Sequence, residues 1–319
     1  MDQVVTRTVN EIEPPVTISI ITIVRNDLPG LTTSCGSLEP IFASDVEHVV
    51  VDGSTKSDVR NFLSLRRKGR LKWISEPDEG IYDAMNKGLA LASGSYVLFL
   101  NAGDRFYSPF PMTQLRALIA RSQTEVISPV ILGYSAETYG NRKYLRPGLG
   151  REVDVFMSHS HQATFYPRHF IETNRFRRDI PVGGDAEFTA RAIYHSGAVF
   201  LPAVICEFSL GGLSTNYSKV NVVLRRLKET TSRVQQLKLL TKIVLWRILP
   251  RALFYDLMAS YKYTRFTDAA TLPLPAGEIR IPRHADAIGA RWKIRQKSVF
   301  PPGAAVYSQM SADRRQTER

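Results

Sequence analysis

Short apolar runs alternate with longer mixed segments through the first hundred residues. Runs at residues 16–24, 47–51 and 71–75 are rich in β-branched and aliphatic side chains, which predicts strands. The stretches between them, at 28–42 and 57–68, have the length of helices. This alternation predicts an α/β fold with a parallel sheet and right-handed helical crossovers.

A further helix and strand continue the series. Residues 80–92 carry apolar side chains at helical spacing, which predicts one buried helix face and places Asn86 on a different stripe. The apolar positions are Ile81, Ala84, Met85 and Leu89. Residues 95–100 then form an uninterrupted apolar run, typical of a strand buried on both faces of a parallel sheet.

Polar or acidic residues follow four of these predicted strands, at Asn26, Asp52, Asp78 and Asp104. In open α/β sheets, ligands bind at the carboxyl ends of the strands. A carboxylate at that edge can hold a hard divalent cation against the phosphates of a nucleotide. The alternative is that these residues only stabilise turns, since Asp-Gly and Asn-Ala-Gly-Asp are favourable turn sequences.

The most specific motif is residues 75–88, here called the signature, which read Ser-Glu-Pro-Asp-Glu-Gly-Ile-Tyr-Asp-Ala-Met-Asn-Lys-Gly. The signature resembles family-two glycosyltransferases of the GT-A fold, in the branch that serves bacterial exopolysaccharide and colanic-acid assembly. The resemblance extends from residue 16 to residue 214. It implies a catalytic domain at residues 16–215 with a Rossmann-like, mostly parallel sheet flanked by helices. It also implies an inverting transfer from a nucleoside-diphosphate sugar to a glycan acceptor, expected to be lipid-linked.

The resemblance implies a donor site at the strand ends. It places the base and ribose near Thr22, Val24 and Asn26, and near Asp52. The Asp52 carboxylate can accept the imide N–H of uracil or the N1–H and amine of guanine, and a UDP-sugar is favoured over a GDP-sugar.

Within the family, the signature lines the donor cleft. Asp78 is therefore expected to contact the donor, with capping of the following helix as the alternative. Asn101 is assigned to the donor side as well. Lys87 either reaches a phosphate or lies in solvent.

The metal motif of the family is commonly Leu-Asp-X-Asp-Asp, whereas this chain has Leu-Asn-Ala-Gly-Asp at residues 100–104. Only the last aspartate, Asp104, remains, which argues against a tightly held metal ion. We expect Mg²⁺ or Mn²⁺ to be bound by Asp104 together with the donor diphosphate. Asn101 offers an amide oxygen as a further ligand. Such an ion would stabilise the departing nucleoside diphosphate as a Lewis acid.

The catalytic aspartate of the family corresponds to Asp185, which is preceded by Gly184 where the family usually has Glu. Inverting transfer needs a carboxylate that takes the proton of the attacking hydroxyl. Asp185 is the candidate and Glu187 the second choice. A helix N-cap is the alternative role for Asp185.

His161 and Gln162 begin a His-Gln-Ala-Thr-Phe-Tyr run that is similar to one in the same branch, and they are assigned to the acceptor side. His159 and His161 would share a strand face, but no third metal ligand follows at a recognisable spacing. The segment 208–214 resembles the glycine-containing stretch that closes the catalytic domain. A plain Gly-Gly turn is the alternative for that segment.

The composition of the chain indicates the size of its core and its cellular setting. The chain has 319 residues, of which 44% are hydrophobic, enough for a full core. Cys35 and Cys206 provide no disulfide framework, so a reduced cytoplasmic setting is expected. The first 15 residues, taken as an N-terminal extension, lack a signal-peptide pattern, and no apolar run of transmembrane length occurs.

The net charge of +12 is concentrated in the last third of the chain. Residues 1–216 contain 22 Lys and Arg against 23 Asp and Glu, whereas residues 217–319 contain 20 against 7. Within residues 216–266, apolar positions at helical spacing are interleaved with basic ones, which predicts a basic amphipathic helical extension. Such a region can lie peripherally on the anionic inner face of the cytoplasmic membrane. The alternative is a helical pair packed on the catalytic domain. Residues 267–319 are expected to be a flexible or loosely docked tail.

Other function classes fit less well. A nucleic-acid-binding protein needs a basic surface with aromatic residues, and the nearly neutral first two-thirds argues against a nucleic-acid partner. The alternative to a transferase is therefore a basic α/β protein that binds nucleic acid or a membrane and has no transferase activity. A dinucleotide enzyme or nucleotidyltransferase is disfavoured because no Gly-x-Gly-x-x-Gly or Walker pattern is present.

Overall fold

The structure is a computed structural model that describes most of the chain between residues 17 and 209. The described ranges are 17–66, 70–108, 110–122, 124–134, 143–145, 161–180 and 183–209, followed by 233–250, 253–254, 257, 264–266, 279–281 and 283.

Four parallel strands form the first half of the sheet, in the order β4, β1, β2, β3. They are β1 (Ile18–Val24), β2 (Val46–Asp52), β3 (Arg70–Ser75) and β4 (Tyr96–Phe99). The connecting helices are α1 (Leu28–Leu38), α2 (Asp58–Leu65) and α3 (Ile81–Leu91), and a 3-10 turn at Glu39–Ile41 follows α1. The predicted alternation of strands and helices is therefore confirmed.

Beyond β4 the sheet becomes mixed. β4 is antiparallel to β8, β8 is antiparallel to β6, and β6 is parallel to β9. The strands of this half are β5 (Arg105–Phe106), β6 (Val126–Tyr134), β7 (Lys143–Leu145), β8 (Phe165–Pro167), β9 (Ala198–Ser209), β10 (Thr264–Phe266) and β11 (Ile279–Ile281). The helices are α4 (Met112–Arg121), α5 (Arg168–Thr173), α6 (Gly184–Ser196) and α7 (Arg233–Ile248).

Helices cover both faces of the sheet, because successive side chains of a strand point to opposite faces. On one face, Ile20 packs with residues of α1 and α4. On the other, Ile21 packs with residues of α3, α5 and α6, including Met85 and Phe188. A smaller cluster under α1 and α2 contains Val24 and Leu31. Both faces of the parallel strands are thus buried.

At the amino ends of the parallel strands, the buried carboxylate of Glu47 joins three elements. It accepts hydrogen bonds from Ser19 Oγ (2.5 Å) and Ser93 Oγ (2.7 Å), and it lies 2.8 Å from Lys72 Nζ. Burial raises the pKa of Glu47, but Lys72 and the serine donors outweigh it and lower the pKa to about 2. This ionised carboxylate holds the parallel strands together at their amino ends, opposite the carboxyl ends where the candidate site residues lie.

The C-terminal third differs from expectation at two points, the first being that strand β10 lies inside the region predicted to be helical. α7 lies inside the predicted basic helical region, but β11 lies inside the stretch predicted to be a flexible or loosely docked tail, and it pairs with β9. Most of the remaining residues of both regions, and the glycines of the segment 208–214, lie outside the described residues. Among the helices that the structure describes, none is both long and apolar enough to cross a membrane.

Candidate active site

Asn26 joins the loops that follow β1 and β2. Its φ of 54° is in the left-handed region, which asparagine tolerates better than most residues. Its Oδ1 accepts hydrogen bonds from the backbone N–H of Thr55 (3.0 Å) and of Lys56 (3.3 Å), and its own N–H donates to Ser54 Oγ (2.7 Å). The side-chain oxygen of Asn26 therefore holds the two loops together.

Asp52 and Asp78 follow the neighbouring strands β2 and β3. Asp52 is fully buried, and its carboxylate accepts from Ser54 N (2.9 Å) and Ser75 Oγ (2.7 Å). The Asp78 carboxylate lies directly against Gly53, because a Cβ at position 53 would be 1.6 Å from Asp78 Oδ2. Only glycine therefore allows Asp78 its observed position.

Asp78 does not cap α3, so the alternative role is not observed. Its Oδ1 accepts from Gly80 N (3.1 Å) and lies 3.7 Å from Arg25 Nη1. The N-cap residue of α3 is Gly80, which makes no side-chain capping bond.

Two predicted donor contacts, Thr22 and Val24, need correction. Thr22 is fully buried, and its hydroxyl lies 2.9 Å from Nε2 of His48, whose pKa burial lowers to about 3. Val24 packs in the core with Leu31 and Cys35. Because both side chains point into a sheet face covered by helices, they support the strand and do not face the ligand edge.

Asn101 and Asp104 are the ends of one turn that α1 holds in place. Asp104 N donates to Asn101 O (3.0 Å), and Gly103 between them has a φ of 93°, which favours glycine. Ser34 of α1 donates to the carbonyl oxygen of Asp104 (2.7 Å) and accepts from Gly103 N (3.1 Å). Sequence reasoning missed Ser34, because a small polar residue in a helix gives no signal.

This turn provides two oxygen ligands for a cation. Asp104 is only 4% exposed and lies near the Cys206 thiol, whose pKa is raised by burial and by the negative charges of Asp104 and Glu207. The Asn101 Oδ1 atom is buried and has no hydrogen-bond partner. Among the described residues, no group of three or more His, Cys, Asp or Glu side chains is arranged to hold a metal ion. The residues therefore fit a divalent cation only if substrate phosphates and water complete its coordination.

A hydrogen-bonded chain connects this turn to the candidate base. Asn101 Nδ2 lies 3.3 Å from His161 Nε2, and His161 Nδ1 lies 3.0 Å from Asp185 Oδ2. If the amide donates to Nε2, His161 carries its proton on Nδ1 and donates it to Asp185. His161, assigned to the acceptor side, thus lies between the donor side and the base. Gln162 is 6% exposed, and its carbonyl oxygen accepts from the Cys206 thiol (3.2 Å).

Asp185 lies in the first turn of α6 with 35% of its side chain exposed. Burial raises the pKa of Asp185, but the hydrogen bond and charge of His161 and the nearby backbone amides outweigh it and hold the pKa well below its usual range. The N-cap of α6 is Gly183, so Asp185 is not the cap. The site therefore presents an ionised carboxylate with partial access to solvent.

Glu187, the second choice for the base, is directed elsewhere. Its carboxylate forms two bonds with Arg191, Nε to Oε1 at 2.9 Å and Nη2 to Oε2 at 3.1 Å. The Arg191 guanidinium also lies 5.4 Å from the centroid of the Phe188 ring. Glu187 is thus a buried partner of an arginine, and the structure corrects its assignment. His159 lies outside the described residues.

The polar residues of the signature face the segment that leads to Asp185. Asn86 bonds both backbone groups of Phe176, at 2.9 Å to its oxygen and 2.8 Å from its nitrogen. Asp83 pairs with Arg178 (3.2 Å), and the Tyr82 hydroxyl bonds the backbone of Gly184. Sequence reasoning missed these roles, although positions 82, 83 and 86 share one helix face.

Lys87 pairs with two carboxylates near the start of α3. Its Nζ lies 2.8 Å from Glu76 and 3.5 Å from Asp83. Both pairs lie within the signature or its helix, so Lys87 stabilises the start of α3.

Comparisons with known proteins agree with this geometry. The family model described as Glycosyl transferase family 2 matches residues 19–190. An uncharacterized glycosyltransferase of Mycobacterium tuberculosis is 32% identical over 206 residues, which are 63% of this chain and 78% of the relative. A PGL/p-HBAD biosynthesis glycosyltransferase of Mycobacterium bovis is 29% identical over 180 residues, or 53% of this chain and 68% of the relative.

Among solved structures, S. aureus TarS 1–349 in complex with UDP-GlcNAc has a TM-score of 0.52 at 17% identity, covering 76% of each chain. Against the TarS chain without that truncation the TM-score is 0.50, and this chain covers 45% of it. At this identity the likeness concerns the fold.

Proposed function

This chain belongs to glycosyl transferase family 2, and from that premise we propose that it transfers a sugar with inversion from a nucleoside-diphosphate sugar to an acceptor hydroxyl activated by Asp185. Its membership and its relatives make it a glycosyltransferase with a mostly parallel central sheet. The observation that carries the proposal is the ionised, partly exposed Asp185 carboxylate, connected through His161 to the turn at the end of β4.

In the proposed reaction, Asp185 takes the proton of the acceptor hydroxyl as its oxygen attacks the anomeric carbon. The bond from that carbon to the diphosphate oxygen breaks, and the nucleoside diphosphate leaves from the opposite face of the sugar. A positioned carboxylate base contributes about 10²–10⁴-fold to such a step. The low pKa of Asp185 keeps the base ionised at neutral pH.

We propose that the side chains of Asp78 and Asn101 face the bound donor. Asn26 and Asp52 hold the two loops that frame the nucleotide. UDP is the expected nucleotide: TarS, which shares the fold, has been solved with UDP and with UDP-GlcNAc.

A divalent cation, Mg²⁺ or Mn²⁺, would be held by the Asp104 carboxylate and the Asn101 amide oxygen together with donor phosphates. When bound, it supplies charge neutralisation for the leaving diphosphate. The unpartnered Asn101 Oδ1 supports this assignment, because a buried acceptor without a donor costs free energy that a ligand would recover.

The assignment of separate roles can be tested by thermal-shift titration with UDP and with GDP, each with and without Mn²⁺, together with UDP release from UDP-GlcNAc. Asp185→Asn should lose about 10²-fold or more in turnover and keep UDP binding. Asp104→Ala should weaken Mn²⁺-dependent UDP binding. Equal loss of UDP binding in both variants would refute the division, and no response of the wild type to either nucleotide would refute the proposed function.

For the acceptor, we propose a lipid-linked glycan of bacterial surface or exopolysaccharide assembly, reached from an anionic membrane surface on the cytoplasmic side. The support is an exposed apolar stripe on α7. Its members are Leu237, Leu240, Val244 and Ile248, which are 66%, 46%, 55% and 67% exposed. They recur every three or four residues, so they lie on one side of the helix. Exposed Arg233 and Arg247 flank the stripe and complement anionic headgroups.

Sedimentation with vesicles tests the membrane contact. The protein should bind phosphatidylcholine vesicles that contain phosphatidylglycerol, and added salt should weaken the binding. A Leu237→Glu, Ile248→Glu double variant should stay in the supernatant. Leu65→Glu is the matched control, since Leu65 is 84% exposed but lies on α2. Equal binding by the double variant and the control would refute the contact.

A further inference from the structure

The hydroxyl of Tyr82 lies at the first turn of α6. It accepts hydrogen bonds from the backbone N–H of Gly184 (2.8 Å) and of Asp185 (3.4 Å). It lies 3.3 Å from Asp185 Oδ1, to which it donates. One oxygen atom therefore contacts both the backbone and the carboxylate of the candidate base, from a residue 103 positions earlier in the chain.

The ring of Tyr82 is fixed by packing on two sides. It stacks on Phe176, with centroids 5.8 Å apart and planes 6° from parallel. Its other neighbour is Gly184, where a Cβ would lie 2.8 Å from Tyr82 Cε2. A side chain at position 184 would displace the ring, so glycine at this position and the aromatic ring at position 82 depend on each other.

Two side chains donate to the Asp185 carboxylate, one to each oxygen. His161 Nδ1 contacts Oδ2 at 3.0 Å and Tyr82 contacts Oδ1 at 3.3 Å. Burial, followed by the charge of Asp185, raises the pKa of Tyr82, so its hydroxyl keeps its proton and stays a donor. Two donors on separate oxygens restrict rotation of the carboxylate, and each oxygen retains a lone pair for a substrate proton.

We propose that Tyr82 is a positioning residue for Asp185, so that helix α3 of the signature orients the base. This inference rests on the proposed function, since it assigns Tyr82 a role in the reaction only through Asp185. Asn86 and Asp83 support this role of Tyr82. Their bonds to Phe176 and Arg178 hold the segment that carries the stacking partner of Tyr82.

The test is Tyr82→Phe, which removes the hydroxyl and keeps the ring. With UDP-GlcNAc as donor and water as acceptor, the expected result is a loss of about 10- to 100-fold in kcat for UDP release, the scale of one hydrogen bond to a charged group. KM for UDP-GlcNAc and the thermal shift by UDP with Mn²⁺ should stay at wild-type values. A loss of UDP binding equal to the loss of turnover would overturn the inference.

Tyr96→Phe is the matched control. Tyr96 is buried in strand β4, and its hydroxyl donates to the carbonyl oxygens of Ser122 (2.5 Å) and Glu125 (3.0 Å), which belong to the loop after α4. This variant loses the same atom and should keep wild-type kcat. If both tyrosine variants lose kcat equally, the effect is structural and the inference fails.

A second measurement needs no substrate. Gly184→Ala should lower the thermal unfolding temperature by about 2 °C or more in the wild type, although alanine ordinarily favours a helix over glycine. In a Tyr82→Leu background the same change should cost little, because the ring is gone. Additive effects would show that the contact does not exist. If the wild type releases no UDP while this cycle shows coupling, the proposed function fails and the contact stands as a structural one.

Discussion

Replacement of His161 by phenylalanine should change the pH dependence of the enzyme in a defined direction. The variant loses the 3.0 Å contact to Asp185 Oδ2 and the 3.3 Å contact to Asn101 Nδ2. A hydrogen bond to a charged group contributes about 1.5–3 kcal/mol. Because 35% of the Asp185 side chain is exposed and water replaces part of the bond, the lower end applies, about tenfold in proton affinity.

The direction of this change in pH dependence follows from the effect of His161 on the pKa of Asp185. His161 helps to hold the pKa of Asp185 low, against the effect of burial, so its removal must raise that pKa. The acidic limb of kcat/KM for UDP release should therefore move to higher pH. Because the Asp185 carboxylate also loses the contact that orients it, kcat at neutral pH should fall. His161→Gln keeps an amide donor and should show a smaller displacement. An unchanged acidic limb and an unchanged kcat in His161→Phe would refute the assignment of His161 as a donor to the base.

Three further predictions concern the surrounding residues. Glu187→Gln should keep turnover near the wild-type value but lower the free energy of unfolding in urea by about 1–3 kcal/mol, because the partly buried Arg191 loses its charged partner; loss of turnover without loss of stability would restore Glu187 as the base. Gly53→Ala should weaken UDP binding in calorimetry, because the added Cβ would displace the Asp78 carboxylate. Gly36→Ala is the control: its added Cβ would meet no neighbouring atom within 4 Å, so this variant should bind UDP normally. Glu47, with a pKa lowered to about 2, stabilises the fold above its unfolded pKa of about 4.3, and the contribution is lost as pH falls; the difference in unfolding free energy between wild type and Glu47→Gln should therefore shrink between pH 5 and pH 3.

The first half of the fold could be predicted because each parallel strand is one apolar run with a helix after it. β1 begins two residues later than expected, and β2 begins one residue earlier, but their type and order hold. The second half could not be predicted in this way. β5 has two residues and β8 three, so their pairing depends on neighbours distant in sequence and not on local pattern.

The candidate site shows the same division. The positions of Asp78 and Asp104 after strands β3 and β4 could be predicted from the apolar runs, and their roles stay predictions. Thr22 and Val24 were assigned by resemblance, without applying the two-residue alternation of strand β1, which turns their side chains into a covered face. Tyr82 was missed for another reason: a buried tyrosine on an apolar helix face has the pattern of core packing, and the partners of its hydroxyl, Gly184 and Asp185, are distant in sequence.

The pairing of β11 with β9 has a consequence for aggregation. Ile279, Arg280 and Ile281 bond the edge of β9 at Phe200, Val199 and Ala198. A chain that ended at residue 266 would leave these backbone groups open beside the buried, apolar Val199. An open apolar strand edge is a template for pairing with another molecule. Shortened forms of this protein should therefore self-associate through β9 unless the cut is made after residue 281.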